Sequence, residues 1–390
     1  MISFYIHIPF CIRKCNYCDF LSFPAGEATR DGYVDALCGE IRRYSENVSE
    51  PVYTVFFGGG TPSLLTPKQT ERIMNAITES YCMDECVEIS LECNPGTSSY
   101  ANLKAYRKLG INRLSIGLQS ANDNELRILG RIHNYEQFMT TYSDARRVGY
   151  DNINIDIMSA IPGQSLESYK DTLTKIVNID PEHISAYSLI IEEGTKFHDL
   201  YAHDKDVISI KSTPVNRPDG NTFPSLPDED EEREMYYITR DILGDAGYCR
   251  YEISNYAKEG YECRHNNVYW MGKDYIGLGL NASSYYKGVR YKNSADMDKY
   301  MKDSSLHEEI TKLSIKDQME EYMFLGLRRM QGVSYEVFNK KFDVSMKDIY
   351  GKTIDGLIKE GLMEEENGFV RLSDRGIDVS NVVLSNFLLD

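Results

Sequence analysis

Along the first half of the chain, short β-branched or aromatic runs alternate with stretches of helical period. The runs Phe4–Ile8, Tyr53–Phe57, Val87–Glu92, Arg113–Leu118, Ile153–Met158 and Ile184–Leu189 read as strands. Helices are predicted over Arg30–Tyr44, Pro67–Glu79, Ser98–Leu109, Tyr135–Val148 and Leu166–Ile179. Pro67 at an early helical position and Gly110 after Leu109 serve as start and stop signals. A repeated strand–helix unit implies a parallel sheet with right-handed crossovers, either doubly wound or barrel-like.

The unusual residues fall just after the strands. Cys11-Ile12-Arg13-Lys14-Cys15-Asn16-Tyr17-Cys18 follows the first, and Gly58-Gly59-Gly60-Thr61-Pro62 follows the second. The third ends in Glu92-Cys93-Asn94-Pro95-Gly96, the fourth in Gln119-Ser120 and the sixth in Tyr187-Ser188; the fifth carries Asp156. Parallel α/β folds bind ligands at the carboxyl ends of their strands, so these groups are expected to share one site.

From Tyr201 to Asp230 the rhythm breaks. A segment rich in Pro, Asn, Ser and Asp is expected to be an exposed, mobile insertion over 204–230, running into an acidic helix that reaches Leu243. The stretch 231–300 then carries Tyr251-Glu252-Ile253-Ser254-Asn255-Tyr256 and a Gly/Tyr-rich segment. In 301–390, helices at Lys316–Arg329, Tyr335–Lys341 and Met346–Glu360 precede a hairpin, Leu362–Leu372, with Asn367-Gly368 at its turn. This order is that of a winged-helix-like α+β domain.

Composition removes several classes of function. The formal net charge of −17 over 390 residues argues against nucleic-acid binding, and favours a packing or dimer-contact role for the last domain. It leaves room for a local basic pocket that takes a carboxylate. No run of apolar residues is long enough to span a bilayer, which restricts any membrane contact to the periphery, and the first residues lack a signal-peptide pattern. A cytoplasmic protein is expected. Nine Cys in such a chain argue against a disulfide framework.

Cys11, Cys15 and Cys18, at x3 and x2 spacing in one loop, can reach three corners of a cubane iron–sulfur cluster. Three thiolates leave one iron open. The amino and carboxylate groups of S-adenosylmethionine (SAM) can fill that position and bring the sulfonium beside the cluster for reductive cleavage to a 5′-deoxyadenosyl radical. Arg13 and Lys14 would help keep the thiolates deprotonated. The competing reading is a zinc site, which wants a fourth ligand; His7 alone is near enough in sequence, and its direction is open. Three glycines let backbone approach a ligand closely, and Glu92 is placed to accept from a ribose diol. Cys82 and Cys86 flank a short loop as a candidate second metal pair, whereas Cys38, Cys93, Cys249 and Cys263 read as packed thiols.

Several motifs carry a resemblance. Tyr5-Ile6-His7-Ile8-Pro9-Phe10-Cys11, Phe57-Gly58-Gly59-Gly60-Thr61-Pro62-Ser63, Leu114-Ser115-Ile116-Gly117-Leu118-Gln119-Ser120 and Leu129-Gly130-Arg131-Ile132-His133 resemble the oxygen-independent coproporphyrinogen III oxidase family of radical-SAM proteins. Ile161-Pro162-Gly163-Gln164, Ser185–Leu189 and Tyr251–Tyr256 extend it over nearly the whole chain. The resemblance implies a 4Fe–4S cluster on Cys11, Cys15 and Cys18. It also implies a partial (β/α)6 TIM-like barrel over 1–203, a barrel-extending segment over 231–300 and the winged-helix-like domain over 301–390. Tyr5, Tyr17, Gly59, Gly60, Thr61 and Glu92 match positions around cluster-bound SAM. Gln119, Arg131 and Asp156 match positions that hold a second SAM in the oxidase branch. On the residues alone, Arg131 could equally be a surface ion-pair partner and Asp156 a structural carboxylate.

Oxidases of this family carry another Cys two residues beyond the third ligand, where this chain has Phe20. The chain instead resembles the haem-chaperone branch, which has a His-Asn-x-x-Tyr-Trp motif implicated in haem binding. Here it is His265-Asn266-Asn267-Val268-Tyr269-Trp270. The motif offers an imidazole for iron and aromatic faces for a macrocycle; a His capping a turn beside core aromatics is the other reading. Ser283 stands where many relatives have a second His, so bis-His ligation from that segment is excluded. The expectation is a haem chaperone that hands haem to acceptor proteins, with a homodimer as one arrangement. The alternatives are radical oxidative decarboxylation of coproporphyrinogen III and DNA binding by the terminal domain.

Overall fold

The computed structural model describes residues 1–201, 215–216 and 222–389. Strands β1 (Ile2–Ile8), β2 (Val52–Gly59), β3 (Met83–Cys93), β4 (Arg113–Gln119), β5 (Ile153–Ser159) and β6 (His183–Ser188) lie side by side in chain order, all parallel. Each predicted run sits inside one of them, save that β6 stops short of Leu189. Helices α1 (Glu27–Tyr44), α2 (Pro67–Ser80), α3 (Tyr100–Lys108), α4 (Asp123–Leu129), α5 (Tyr135–Val148), α6 (Leu166–Ile179) and α7 (Lys196–Tyr201) connect or follow them. Thr66 and Asn134 start α2 and α5 with reciprocal side-chain and backbone hydrogen bonds to Gln69 and Gln137. This is the expected partial barrel.

Several short elements escaped the periodic reading. Helix α4 is only seven residues, too short to show a helical period, and Gly130 ends it at φ +77°. Its end becomes the platform for the cysteine loop. The predicted insertion over 204–230 lies mostly outside the described residues. Of its remainder, β7 (Val215–Asn216) and β8 (Thr222–Phe223) pair, and Leu226 packs with Leu129 and Met158.

Helix α8 (Glu229–Asp245), capped by Asp228, leads to β9 (Cys249–Arg250) and β10 (Asn255–Ala257), which extend the sheet antiparallel beyond β6. Helix α9 (Arg264–Trp270) carries the His-Asn motif. It is followed by β11 (Tyr275–Leu278), an unexpected strand that pairs parallel with β1. Strands β12 (Ser283–Tyr286), β13 (Val289–Asn293) and, after α10 (Met297–Lys302), β14 (His307–Lys312) complete a 12-stranded sheet. Ser283 is exposed at the start of β12. The end of β11 is locked to α1 by buried Glu40, which accepts from the Gly279 N–H at 2.9 Å, Asn293 at 2.7 Å and Tyr300 at 2.6 Å.

The last domain comprises α11 (Ile315–Gly326), β15 (Val333–Ser334), α12 (Tyr335–Phe342), α13 (Met346–Lys359), β16 (Met363–Glu366), β17 (Phe369–Leu372), α14 (Asp374–Asp378) and α15 (Ser380–Ser385). Asn367 and Gly368 both take positive φ at the hairpin turn, as a two-residue turn requires. Its own core, including Met323, Phe338, Tyr350 and Val370, is separate from that of the barrel.

Candidate functional site

The polar groups predicted at the strand ends do converge. The loop after β1 is pinned at its base, where the Cys11 N–H donates to the Phe23 carbonyl and that of Phe23 to the Pro9 carbonyl. Its middle is nailed to the end of α4: Asn16 bonds the Leu129 and Ile128 carbonyls, and Arg13 donates to the Gly130 carbonyl at 2.7 Å. Arg13 therefore holds the loop on its platform. It is Arg131, not Arg13, whose guanidinium contacts a sulfur, at 3.7 Å from Cys15 Sγ. Thr61 Oγ1 lies 3.4 Å from Cys11 Sγ and accepts from Asn94, which leaves its own proton for the sulfur. Burial pushes the Cys18 thiol up to about 11.

Cys11, Cys15 and Cys18 are unpaired and line one cavity of about 150 Å³ with Gly59, Gly60, Thr61, Glu92, Gln119, Arg131 and Asp156. His7 is not a fourth ligand. Its Nδ1 lies 3.1 Å from the Tyr5 hydroxyl and its Nε2 3.2 Å from the Leu21 carbonyl, and burial lowers its pKa to about 4. Three thiols with no fourth protein ligand among the described residues fit a cluster that keeps one iron open. Arg131 is buried on the cavity wall, donating to Asn94 at 2.6 Å and to the Gly117 carbonyl at 2.7 Å, so it is no surface ion-pair partner.

The glycine run works differently from expectation. A Cβ on Gly59, at φ +108°, would meet the His7 ring at 2.6 Å, and one on Gly60 would meet the Phe10 carbonyl at 2.7 Å. These glycines are demanded first by the packing of β2 against the end of β1, which in turn presents their backbone to the cavity. Glu92 accepts the Gly59 N–H at 3.2 Å; burial and the neighbouring Asp156 raise its carboxyl to about 8. Asp156 is raised by burial too, and accepts from Asn154 at 2.7 Å and from Ser115. Gln119 takes φ +74° and accepts from the Tyr187 hydroxyl at 2.8 Å. Both carboxyls thus face the cavity ready to accept hydroxyl or ammonium donors.

A larger chamber of about 580 Å³ shares Tyr17, Cys18, Phe20, Gly59, Glu92, Asp156 and Tyr187 with the first, and adds Tyr5, His265, Asn266 and Tyr269. His265 stacks on Phe56 at 5.1 Å, with Nδ1 2.8 Å from Thr54 Oγ1 and Nε2 2.8 Å from the Tyr269 hydroxyl. Helix α9 is held there by Glu88, whose carboxylate accepts the N–H groups of Arg264 and His265, and by Cys263, whose sulfur caps Asn266. Trp270 goes elsewhere. It lines a separate cavity of about 200 Å³ against α11, with the Arg328 guanidinium 4.8 Å from its ring.

Sequence reading missed Glu88, Thr54, Asn94 and Arg113; only their inward alternation on strands, or a position just past a strand end, was a signal. Arg113 is buried on the chamber floor. Cys38, Cys93 and Cys263 are packed as expected, whereas Cys249 is exposed on β9. Cys82 and Cys86 are exposed, and Cys86 lies within β3 rather than in a loop.

Burial and, secondarily, Arg113 lower the His265 pKa to about 3. A depressed imidazole contributes stability that is fully present above its unfolded pKa of about 6.5 and is lost as pH falls toward the folded value. Between pH 7 and 5, wild type should lose about 2 kcal/mol more unfolding free energy than His265→Asn. Urea titrations of both proteins at the two pH values read the difference; equal slopes would remove the neutral, buried imidazole.

Residues 5–176 match the radical SAM superfamily, and 313–379 match the HemN C-terminal domain. The heme chaperone HemW of Lactococcus lactis is 36% identical over 392 residues, spanning 100% of this chain and 97% of that one. That of Bacillus subtilis is 33% identical, spanning 100% and 99%. The chain belongs to the haem chaperone HemW family. The structure of HemN, the coproporphyrinogen III oxidase of Escherichia coli, superimposes with a TM-score of 0.80 over 99% of this chain and 90% of that one; at 22% identity it shows the shared fold. As a radical-SAM chain of the HemW family, this one has a 4Fe–4S cluster and SAM as its cofactors, and the thiol triad and adjoining carboxyls fit them. Among the described residues no helix is long and apolar enough to cross a membrane.

Proposed function

We propose that this chain binds haem beside its cluster and SAM sites and passes it to acceptor proteins. The observation that carries this reading is His265, a neutral imidazole on the wall of the 580 Å³ chamber that adjoins the cysteine triad. A neutral imidazole has one ring nitrogen with a free lone pair, the form that ligates iron. Nε2, 2.8 Å from the Tyr269 hydroxyl, would have to exchange that partner for iron, and Phe56, Tyr5 and Tyr269 offer flat faces to a macrocycle. Thr54 on Nδ1 holds the ring orientation. When bound, a cluster on Cys11, Cys15 and Cys18 would supply the electron that cleaves SAM; Glu92 would accept from the ribose hydroxyls of that SAM, while Arg131 and Thr61 donate to the cysteine sulfurs. Gln119 and Asp156 would orient a second SAM.

Haem and acceptor proteins are the proposed partners of a cytoplasmic protein that touches membranes only peripherally, binds no nucleic acid and can pair as a homodimer. Cluster-reconstituted protein should bind haem one to one, and His265→Ala should weaken binding at least about tenfold. An unchanged Soret band and affinity in that variant would discard the axial-ligand role. A coproporphyrinogen III turnover assay on the same sample tests the enzymatic alternative, with vinyl products and 5′-deoxyadenosine as its signature.

A further inference from the structure

Helix α9 has a second working face. His265, Asn266 and Tyr269 look into the barrel chamber, whereas Arg264, Asn267, Val268 and Met271, at helical spacing, line another cavity of about 570 Å³. Arg250, Arg264, Lys273 and Arg329 bring four cations to it from separate segments, against the single carboxylate of Glu262 among the described residues. Arg250 pairs with Asp374 at 3.5 Å. Among the described residues the other three form no ion pair: Arg264 donates to the Cys86 carbonyl, Arg329 to Gln331, and Lys273 sits 6.0 Å from the Tyr53 ring. Burial holds the Arg329 guanidinium below its ordinary value against the opposing effect of Tyr322, so an anion arriving there would further offset its desolvation.

In a chain with 60 acidic and 43 basic residues, such a group of unpaired cations runs against composition. Its walls also include Tyr53, Tyr251, Met271 and Met330, apolar or aromatic surfaces suited to a flat body. The barrel chamber has the opposite make-up, four carboxyls (Asp19, Glu92, Asp156 and Glu192) against Arg113, with Glu92 and Asp156 pushed toward their neutral forms by burial. A tetrapyrrole carries two propionates, for which the chamber offers Arg113 and the basic pocket four cations.

We propose that this basic pocket is a second tetrapyrrole station, holding the carboxylate edge of a porphyrin through Arg264, Lys273 and Arg329, independently of iron and of His265. It rests on the reading that this chain handles haem. An iron-free site on the back of the motif helix would let the macrocycle rest by its propionates before or after ligation on the other face.

The test is metal-free protoporphyrin IX, titrated into the cluster-reconstituted full chain and followed by porphyrin fluorescence. Arg264 and Lys273 are both exposed, so the reversal Arg264→Glu with Lys273→Glu should fold, as circular dichroism would verify. It should weaken binding at least about tenfold, whereas His265→Ala should leave it within about twofold and Lys273→Arg should retain it. The porphyrin dimethyl ester, lacking the carboxylates, should not distinguish wild type from the reversal. Equal affinity of the diacid for wild type and reversal, or its loss in His265→Ala, would overturn the proposal. Haem titrated into the same samples separates the two readings. Haem that binds through His265 while the porphyrin ignores the reversal removes the pocket alone; failure of both ligands to bind removes the haem reading as well, and the pocket with it.

Discussion

Cys15→Ala in the full-length protein should abolish a stable cluster, cutting iron and sulfide content after reconstitution by at least about tenfold. The cause is arithmetic as much as geometry. Three thiols line the cavity, and His7, the nearest substitute, has both ring nitrogens engaged by Tyr5 and Leu21. Loss of one thiol leaves two protein ligands, below what a cubane requires. SAM cleavage should disappear with the cluster, whereas the fold should not. The loop is held by backbone and side-chain bonds of Cys11, Asn16 and Arg13 that do not involve the Cys15 sulfur. The urea midpoint of the apoprotein should therefore move by no more than about 0.5 kcal/mol equivalent. Exposed Cys249 supplies the control: Cys249→Ala should keep full iron content. A Cys15→Ala protein with wild-type iron would refute the ligand assignment.

Gly60→Ala should be the costliest small substitution at the site, at about 3 kcal/mol of unfolding free energy. The added carbon would lie 2.7 Å from the Phe10 carbonyl oxygen, 2.9 Å from that of Ile8 and 2.9 Å from the Phe10 nitrogen. All three are backbone atoms, so no rotamer change relieves the overlap. The Gly60 N–H also donates to the Ile8 carbonyl at 2.9 Å, which ties the two chains at this point. Phe10 precedes Cys11, so the shift passes into the cluster loop, and SAM affinity should fall along with stability. Gly39→Ala is the matched control. Gly39 lies inside α1 with nothing within 4 Å of its would-be Cβ, and alanine there should stabilise by about 0.5–1 kcal/mol. Chemical denaturation of the three proteins checks both signs; Gly60→Ala as stable as wild type would mean that the β1–β2 contact yields more readily than its geometry indicates.

Much of this protein was legible in one dimension. Strand and helix periods are local, so alternation over Ile153–Met158 and the period over Leu166–Ile179 located β5 and α6 without knowledge of their neighbours. The cysteine triad was equally legible, because its ligands share a single short loop and their spacing alone meets three corners of a cluster. The Asn367-Gly368 turn was readable for the same reason, since its positive φ angles are a property of those two residues. What depended on distance along the chain was hidden. Short α4 lacked a visible period, and β11 is a strand because β1 lies beside it. Likewise Arg131 reaches Cys15 across 116 residues, and Glu88 holds α9 by the amide of a His 177 positions away.

The clearest division runs through the His265 motif. Its six letters announce an imidazole with aromatics, yet they cannot say that His265 and Tyr269 face the chamber while Trp270 turns to α11 and Asn267 to a basic pocket. Residues adjacent in sequence sit about 100° apart around a helix axis, so a compact motif is dispersed among three cavities once its helix is docked. Local chemistry and local period were written in the residues. Which groups share a cavity, and with what charge around them, was decided by the packing of segments that only the folded chain brings together.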